Sequence, residues 1–583
     1  MQTTITRRIA VSGLAASGLL LLRGGAAVQA QTSGAGSPPA PPRISLEEFV
    51  KDSVRVDSLK RGVSAMKARE PSDPTSWFFQ AAIHAVLPTW IEAAQRRDPK
   101  VAQVDQARFW NQCPHFGQSS ADFLVWHRAY LYYFERILRD AAQDPSLSLP
   151  YWNYNDVSQR AFPSLFAAPD FDPVTQQPTN PLFDFRRENA FMAGVYELSE
   201  AAVSADDALR NTSFFGLTET TGFAGGVVDN SRNTKGPVEV RPHDQLHFAI
   251  GGAIGFGSTN DPDLVDDFRS GLMASVPTAA FDPVFWVHHC NIDRLWAFWD
   301  CAPGRVWGNV PPEDWFKAAP WQFHDYDRSV KTLDRASYMR HGGLGIRYDV
   351  GENSCRPLSA TLPYEIQVAA AGPGSVAAAA ESGNGIRRFA ASRTEVIGRS
   401  DTQITLGATE PVSERISLAA AVLGDAQGAA AAIRKAAPET PRRVLLHLDG
   451  ISYSQPPSVG YDVYVNLPDR VAPSRSSQHY AGSLSLFGTG DRTHGRNGVG
   501  KGHSAHHHGN DEGAGQQFDI TSTLADTGNA IGELRVTIVP FDLLVPKAGG
   551  PQVPPPKRDG GVIVSRLKVI AVESRAVTQR GTP

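Results

Sequence analysis

The sequence FDPVFWVHHCNIDRLW occupies residues 281–296 and predicts a central helix in the first half of the chain. After Pro283 its apolar and aromatic residues recur at helical spacing, which gives the helix a strongly aromatic face. The adjacent His288 and His289 lie in the middle of this pattern. Because neighbouring residues of a helix point in different directions, we expect one ring to face a shared centre and the other to point aside.

Two further segments place histidines on helices. Residues 123–138 around His127 are apolar at helical spacing, so this imidazole points toward a core. His243 and His247 are four residues apart and share one helix face, and Pro242 suits the start of that helix. The first half of the chain thus holds two histidine triplets, which are His84, His115 and His127, and His243, His247 and His289.

Each triplet offers three imidazoles to one metal ion. Neutral imidazole suits copper, and three ligands per ion leave a coordination position open for oxygen. Zinc also accepts histidine, but structural zinc sites prefer four closed ligands and commonly include cysteine. The pattern therefore predicts a pair of copper ions and oxygen chemistry.

The strings around His127 and His289 resemble the two copper signatures of the type 3 copper proteins, which are the tyrosinases, catechol oxidases and molluscan-type hemocyanins. The first is Phe-Leu-x-Trp-His-Arg, with Glu135 eight residues after the histidine. The second is Asp-Pro-x-Phe-x-x-x-His-x-x-x-Asp, in which the ligand is His289. The resemblance is strong over residues 70–350. The string YDVYVN at 461–466 looks like the C-terminal domain of plant-type polyphenol oxidases and their bacterial relatives.

The resemblance implies a ligand set for each copper ion, with His84, His115 and His127 on CuA and His243, His247 and His289 on CuB. Cys113 matches a position at which some members form a thioether bond to the middle CuA ligand, here His115, and a buried free thiol is the alternative. The chain departs from the family in one respect, because the spacing between His115 and His127 is longer than in most members.

Four further residues match family positions around the copper pair. Glu239 matches a carboxylate that holds a water, although a first-turn glutamate favoured by the helix dipole is the alternative. Asp244 stands where members that hydroxylate monophenols often have Asn. We interpret it as the acceptor of the phenol proton, since nearby cationic copper favours the ionised carboxylate. Phe248 and Val276 match positions at the substrate entrance, with plain core packing as the alternative.

Residues 1–30 are interpreted as a signal peptide. Paired arginines at positions 7 and 8 precede a moderately apolar run that is too short to span a membrane. They favour the twin-arginine export route, and an ordinary Sec signal is the alternative. We therefore expect a periplasmic or secreted protein. Residues 31–43, rich in Gly, Ser and Pro, predict a disordered linker.

The remaining chain is long enough for more than one domain. Aromatic helical segments predict a copper domain at 44–356, mainly α-helical with a four-helix bundle around the dicopper site. An Ala/Gly/Ser-rich tract lies within 357–440, which we interpret as linker and start of the C-terminal region. Alternating apolar runs then predict an all-β sandwich-like domain at 441–583. The expected fold class is α+β multidomain.

Composition limits the partners. A net charge of −4 over 583 residues gives no electrostatic case for nucleic acid or an anionic membrane. Four cysteines are too few for a disulfide scaffold but allow one bridge, for example Cys301 to Cys355. A tract with four histidines at 503–508 is either a solvated loop or a site that picks up copper.

The resemblance implies a function for the whole chain. We expect a secreted bacterial tyrosinase, which uses O2 to ortho-hydroxylate monophenols and to oxidise o-diphenols to o-quinones. Its partners would be phenolic small molecules and O2. The alternatives are a catechol oxidase without the first activity and a hemocyanin-like oxygen-binding protein.

Overall fold

The computed structural model describes most of the chain from residue 41 onward. The described residues are 41–114, 121–175, 178–216, 222–225, 235–252, 271–311, 313–349, 357–360, 362, 386–387, 389–419, 442–488, 515–527, 532–555 and 557–576. Predictions for the signal peptide, His115, Cys355 and the histidine tract at 503–508 lie outside these residues. The described residues form one compact unit.

The first half of the described chain is mainly helical. Its helices are α1 (Leu46–Phe49), α2 (Ser53–Ala68), α3 (Trp77–His84), α4 (Pro88–Arg97), α5 (Gln106–Phe109), α6 (Asp122–Ala142), α7 (Ser164–Ala167), α8 (Asn189–Met192), α9 (Glu200–Val203), α10 (Asp206–Arg210), α11 (Gln245–Gly251), α12 (Val276–Ala279), α13 (Val284–Cys301), α14 (Glu313–Lys317) and α15 (Arg335–Met339), with α16 (Thr521–Thr527) in the second half. Short helical turns occur at Pro99–Gln103, Val157–Gln159, Glu239–Asp244, Leu272–Ala274, His341–Leu344 and Leu358–Ala360.

Helices α6 and α13 form the centre of this half, as their sequences predict. Helix α13 is buried on almost every side and exposes only Phe298 as a large apolar residue, which is typical of a helix surrounded by others. The two helices pack through stacked rings of Phe134 and Trp286, with centroids 3.3 Å apart. Helix α6 ends at Gln143, whose left-handed backbone (φ 51°) stops further helical hydrogen bonding.

A buried ionic network joins α6 and α13 to both ends of the helical half. Asp293 on α13 accepts hydrogen bonds from Arg128 Nε (2.6 Å), Arg43 (3.2 Å) and the Tyr348 hydroxyl (2.6 Å). Arg43 also donates to Glu135 (2.8 Å). The expected disordered linker at 31–43 is therefore wrong for its last residue, because Arg43 is buried and held by two carboxylates.

The second half is built from antiparallel sheets, and the expected sandwich-like domain is observed. The strands of the chain are β1 (Tyr196–Leu198), β2 (Ser213–Phe215), β3 (Val306–Asn309), β4 (Phe323–His324), β5 (Val330–Lys331), β6 (Ile386–Arg387), β7 (Phe389–Ser400), β8 (Ile404–Leu406), β9 (Val412–Ser417), β10 (Arg442–Asp449), β11 (Val459–Val465), β12 (Tyr480–Leu484), β13 (Gln516–Asp519), β14 (Glu533–Asp542), β15 (Leu544–Pro546), β16 (Val562–Val564) and β17 (Arg566–Ala576).

Two four-stranded sheets carry the core of this half. Their strand orders are β13-β10-β17-β7 and β12-β11-β14-β9, with Leu446 opposite Val569 and Val463 opposite Ile538 in register. Strands β7 to β9 join these sheets or the β16–β8 pair, although they lie within 357–440, which the sequence assigned to linker and start of the C-terminal region. The fold is thus α+β, with a helical half and a β half.

The two halves are joined through main-chain contacts. Strand β1 of the helical half pairs with β15 of the β half, with Tyr196 opposite Pro546. Strand β11 is buried at every position, and a Cβ added at Gly460 would lie 2.6 Å from Gln245 Oε1 on α11. Glycine at this position therefore permits the close approach of the β half to the helix that carries His247. Among the described residues, no helix combines the length and apolar character needed to span a membrane.

The Arg187–Asp282 ion pair provides a test of this packing. Both side chains are fully buried, and Arg187 donates to Asp282 Oδ1 (2.6 Å) and Oδ2 (2.9 Å) just before α13 begins. We expect Arg187→Met to lower the free energy of unfolding by about 3–5 kcal/mol, because the Asp282 carboxylate remains buried without its partner. Urea denaturation of the full chain measures the change.

The matched control is Arg415→Met, which removes the cation of the exposed Arg415–Glu533 pair. Such pairs contribute little, so its unfolding midpoint should stay close to that of the unchanged chain. Equal midpoints for the two variants would show that the buried pair does not support the entry to α13.

Candidate metal centre

Four helical segments bring the predicted histidines together. His84 is the last residue of α3, His127 lies in the second turn of α6, and His289 lies on α13. Arg241 has an extended backbone (φ −155°, ψ 126°), so the helical turns that carry His243 and His247 begin at Pro242, as predicted. The rings of the two triplets meet directly, since His127 and His289 stack with centroids 4.3 Å apart.

Each of four imidazoles is anchored through Nδ1 to an oxygen atom. In every case the ring nitrogen nearer the backbone lies within 3.0 Å of an acceptor, which places the proton on Nδ1 and the lone pair on Nε2. The anchors are Val276 O for His84 (3.0 Å), Phe123 O for His127 (2.8 Å), Met273 O for His247 (2.7 Å) and Asp244 Oδ1 for His243 (2.7 Å). The Nε2 atoms of His243 and His247 lie 3.2 Å apart.

Burial keeps the rings of His84, His127, His247 and His289 neutral. Desolvation lowers the pKa of His84 to about 3 and holds the pKa values of His127, His247 and His289 well below the ordinary range. Neutral imidazole is the form that binds a metal ion. The burial that favours packing therefore also prepares these side chains as ligands.

The donor atoms form two compact groups. In each group, one candidate ligand atom per residue lies within 4.8 Å of all the others, and the groups are His84, Cys113 and His127, and His243, His247, His288 and His289. His289 buries both ring nitrogens without a hydrogen-bond partner among the described residues. A buried polar atom left in this state is costly, so a metal ion at Nε2 suits the site. The imidazole-rich donor set suits copper.

His288 differs from the expectation. The sequence predicts that one ring of the His288–His289 pair points aside, but the structure brings both rings into the cluster. His289 stacks on His127 of α6, whereas His288 stacks on His243 with centroids 5.2 Å apart. Helix α13 thus presents adjacent residues to two different neighbours. The Tyr154 hydroxyl lies 3.0 Å from His288 Nδ1 and fixes that ring from behind.

The thioether prediction concerns Cys113 and His115. Cys113 is buried, and its Sγ lies 3.8 Å from His127 Nε2, but His115 lies outside the described residues. The bond to His115 therefore stays a prediction. A peptide holding both residues would be lighter by two hydrogen atoms in a mass spectrum if the bond exists. Elsewhere, Cys301 is disulfide-bonded, and its expected partner Cys355 also lies outside the described residues.

A buried lysine that the sequence reasoning missed connects the two predicted carboxylates. Lys235 Nζ lies 2.9 Å from Asp244 Oδ2 and 3.6 Å from Glu239 Oε1. Burial raises the pKa of Glu239 to about 8, against the opposing charge of Lys235 and with the Asp244 carboxylate adding to the rise. Asp244 also has a raised pKa, chiefly through burial. Because Asp244 Oδ1 binds His243 Nδ1, Asp244 connects the lysine to a candidate ligand.

The β half contributes an aromatic ring to the centre. Phe487, three residues beyond the end of β12, stacks on His247 with centroids 3.9 Å apart and an angle of 16° between the rings. Its carbonyl accepts a hydrogen bond from Lys235 Nζ (2.7 Å), and the Ser485 hydroxyl donates to Asp244 Oδ2. No sequence signal identifies Phe487, because the contact arises only when the β half docks on α11.

The two predicted substrate-contacting residues are both buried. Phe248 on α11 lies 6.1 Å from Phe487 between ring centroids and 5.8 Å from Tyr453. Val276 is the residue whose carbonyl anchors His84. The structure therefore places Phe248 beside the Phe487 ring, which covers one face of His247. It places Val276 at the Nδ1 side of the candidate ligand His84.

Buried imidazoles from four helical segments, arranged as two adjoining donor groups, define a helical protein able to hold a pair of metal ions. Comparison with known proteins identifies a domain in each half of the chain. Residues 74–301 match the common central domain of tyrosinase, and residues 393–548 match a domain of unknown function (DUF7868). Residues 74–301 therefore form a tyrosinase-type central domain.

Individual relatives agree with this assignment. The chain is 34% identical to tyrosinase HcTyr1 of Hahella sp. (strain CCB-MM4) over 324 residues, which cover 53% of this chain and 63% of that protein. The chain thus spans less than two thirds of that relative. It is 23% identical to a chloroplastic polyphenol oxidase of Malus domestica over 466 residues, which cover 76% of this chain and 68% of that protein.

Solved structures show the same fold over nearly the whole chain. A recombinantly expressed latent aurone synthase (polyphenol oxidase) matches with a TM-score of 0.52 and 20% identity, covering 93% of this chain and 91% of that one. Latent apple tyrosinase matches with a TM-score of 0.51 and 19% identity, covering 92% of this chain and 98% of that one. The arrangement of a helical half and a β half is therefore shared with these plant proteins.

Metal stoichiometry tests the centre directly. We expect the copper-loaded chain to hold two copper ions and His289→Ala to hold about one fewer, because the substitution removes a donor that has no alternative partner. Elemental analysis of the dialysed protein measures this. The matched control is His479→Ala, which removes a buried histidine of the β half whose Nδ1 lies 3.0 Å from Val465 O. Equal copper content in all three proteins would contradict the assignment of His289.

Proposed function

We propose that this protein is a dicopper oxidase that uses O2 to ortho-hydroxylate monophenols and to oxidise o-diphenols to o-quinones. The observation that carries the proposal is the convergence of the histidine donors from α3, α6, α11 and α13 on adjoining positions. His84, His115 and His127 would hold one ion and His243, His247 and His289 the other. The chemistry that a copper pair supplies when bound is the activation of dioxygen.

Residues of the chain orient the candidate ligands, and two carboxylates would take part in the transfer of the phenol proton. Main-chain oxygens hold the rings of His84, His127 and His247, so these ligands need little rearrangement on loading. We propose that Asp244 accepts the phenol proton and that Glu239 holds a water beside it. In the described state Asp244 Oδ2 is engaged by Lys235 and Ser485. Asp244 Oδ2 therefore becomes available to a substrate only when these partners release it.

The uncleaved chain is proposed to be a latent form. Phe487 stacks on the candidate ligand His247, and its carbonyl is tied to Lys235. A phenol approaching His247 would have to occupy the space that the Phe487 ring fills. The plant proteins that share the fold are a latent aurone synthase and a latent apple tyrosinase, which supports the proposal.

The location of the protein is proposed from its N-terminal sequence. A signal peptide at 1–30 with paired arginines would export the chain by the twin-arginine route to the periplasm or beyond. This route carries folded proteins, so the copper pair could be loaded before export. The proposed partners are phenolic small molecules and O2, with no nucleic acid.

Substrate assays separate the activities. We expect the copper-loaded chain, opened by limited proteolysis, to oxidise catechol at once and tyrosine after a lag, both followed by quinone absorbance. Asp244→Asn should lower the ratio of tyrosine to catechol activity about tenfold, because the amide accepts no proton. An unchanged ratio and pH profile would show that Asp244 is not the acceptor.

The same assays distinguish the alternatives. Catechol oxidation without tyrosine oxidation would identify a catechol oxidase. Reversible oxygen binding without quinone formation, even after proteolysis, would identify an oxygen-binding protein. Either result would overturn the proposed monophenol hydroxylation while leaving the copper centre in place.

Removal of the covering ring tests latency. We expect Phe487→Ala to raise the catechol oxidation rate of the uncleaved chain several-fold, because the face of His247 becomes open while Lys235 can still bind the main-chain carbonyl. The matched control is Phe541→Ala, which removes a partly buried ring of β14 that packs against Arg475 rather than against a histidine. A rate equal to that of the unchanged chain in both variants would show that Phe487 does not limit access.

A further inference from the structure

A second concave site lies in the helical half, lined by none of the candidate ligand histidines. It is an open cleft of about 250 Å³ between α4, the start of α3 and the residues that follow α2. Its lining includes Trp77, Trp90, Phe281, Lys67, Arg97 and Arg186. A volume of this size is at the small end for ligand sites and suits a molecule with a single ring.

The inner walls of the cleft are aromatic. Trp90 and Phe281 meet edge to face with centroids 4.7 Å apart, and Phe78 lies 5.5 Å from Phe281. Trp77, Trp90 and Phe281 are buried, so the rings are held in place rather than lying loosely on the surface. Fixed aromatic faces and edges bind another ring through offset or edge-to-face contacts.

The rim of the cleft is positively charged. Lys67 Nζ lies 5.3 Å from the Trp77 ring and donates to the Pro181 carbonyl (2.7 Å), and Lys67 and Arg97 form no ion pair among the described residues. Asp184 is the carboxylate of the lining, and it already pairs with Arg186 (2.7 Å). Arg69 also lines the cleft, but its guanidinium group lies 3.7 Å from the Asp140 carboxylate. Two cations are therefore left to interact with a ligand.

We propose that this cleft binds a small aromatic carboxylate. The ring would lie against Trp90 and Phe281, and the carboxylate would face Lys67 and Arg97 at the rim. Cations beside aromatic walls favour an anionic ring over a neutral one of the same shape, since the charge is recognised only by Lys67 and Arg97. The proposal does not depend on the oxidase function, because none of the candidate ligand histidines lines the cleft.

The cleft has a structural link to the metal centre. Trp77 stands at the start of α3, which ends at His84, and its Nε1 donates to the Phe281 carbonyl (3.1 Å) just before α13. A ligand packed on these two residues would therefore hold together the starts of two helices that carry candidate ligands.

Calorimetric titration of the uncleaved chain with benzoate and with benzamide tests the proposal. We expect benzoate to bind at least about tenfold more tightly than benzamide, which has the same ring without the charge. The double variant Lys67→Met/Arg97→Gln should reduce benzoate affinity about tenfold or more and leave benzamide binding unchanged, because it removes two charges and keeps the apolar stem beside Trp77.

Two controls locate the binding. Arg96→Gln/Lys100→Gln removes two neighbouring cations that do not line the cleft, and benzoate affinity should stay unchanged. His289→Ala separates the cleft from the metal centre, where a carboxylate could also bind. Benzoate binding that survives in His289→Ala and falls in the cleft variant supports the proposal. Binding lost in His289→Ala but kept in the cleft variant, or no binding in the unchanged chain, overturns it.

Discussion

The hydrogen bond from a buried imidazole Nδ1 to an oxygen atom is the constraint on which this molecule depends. His84, His127 and His247 each satisfy it with a main-chain carbonyl. A ring fixed in this way has one remaining direction for its lone pair, and helix packing makes these directions converge. The acceptor of His84 is the carbonyl of Val276, the first residue of α12, and that of His247 lies in the turn before α12. This short segment is therefore as much part of the centre as the long helices. A change in it would misdirect a ligand without touching it.

The β half contributes contacts to the metal centre in addition to covering it. Strand pairing between β1 and β15 fixes its position, and the residues after β12 then reach the side of the centre formed by α11. Lys235 connects both halves, because its ammonium group contacts Asp244 and the Phe487 carbonyl at once. Movement of the covering segment would therefore also change the hydrogen bonding of a carboxylate next to His243. Access and proton chemistry are coupled through one side chain.

Local patterns in the sequence predicted the parts of the fold that have local causes. Helices α6 and α13 follow from apolar spacing, the α11 region follows from Pro242 and the four-residue spacing of its histidines, and strands such as β11 follow from short apolar runs. The contacts that were missed join residues far apart in sequence. Lys235 and Phe487 have no motif, and their roles appear only after docking. The predicted orientation of the His288–His289 pair is wrong because it assumes one shared target, whereas α13 faces two neighbours.

The burial of Arg43 affects the order in which the helical half folds. Its guanidinium group contacts Glu135, Asp293 and Tyr348, and the last of these lies 305 residues further along the chain. Contacts over such separations form late, because the intervening chain must be ordered first. Arg43 is therefore among the last residues of the helical half to be fixed, because this contact requires that the residues up to Tyr348 have already been synthesised. A shortened chain that stops before Tyr348, or one that starts after Arg43, would lack part of the network that joins the two ends of that half.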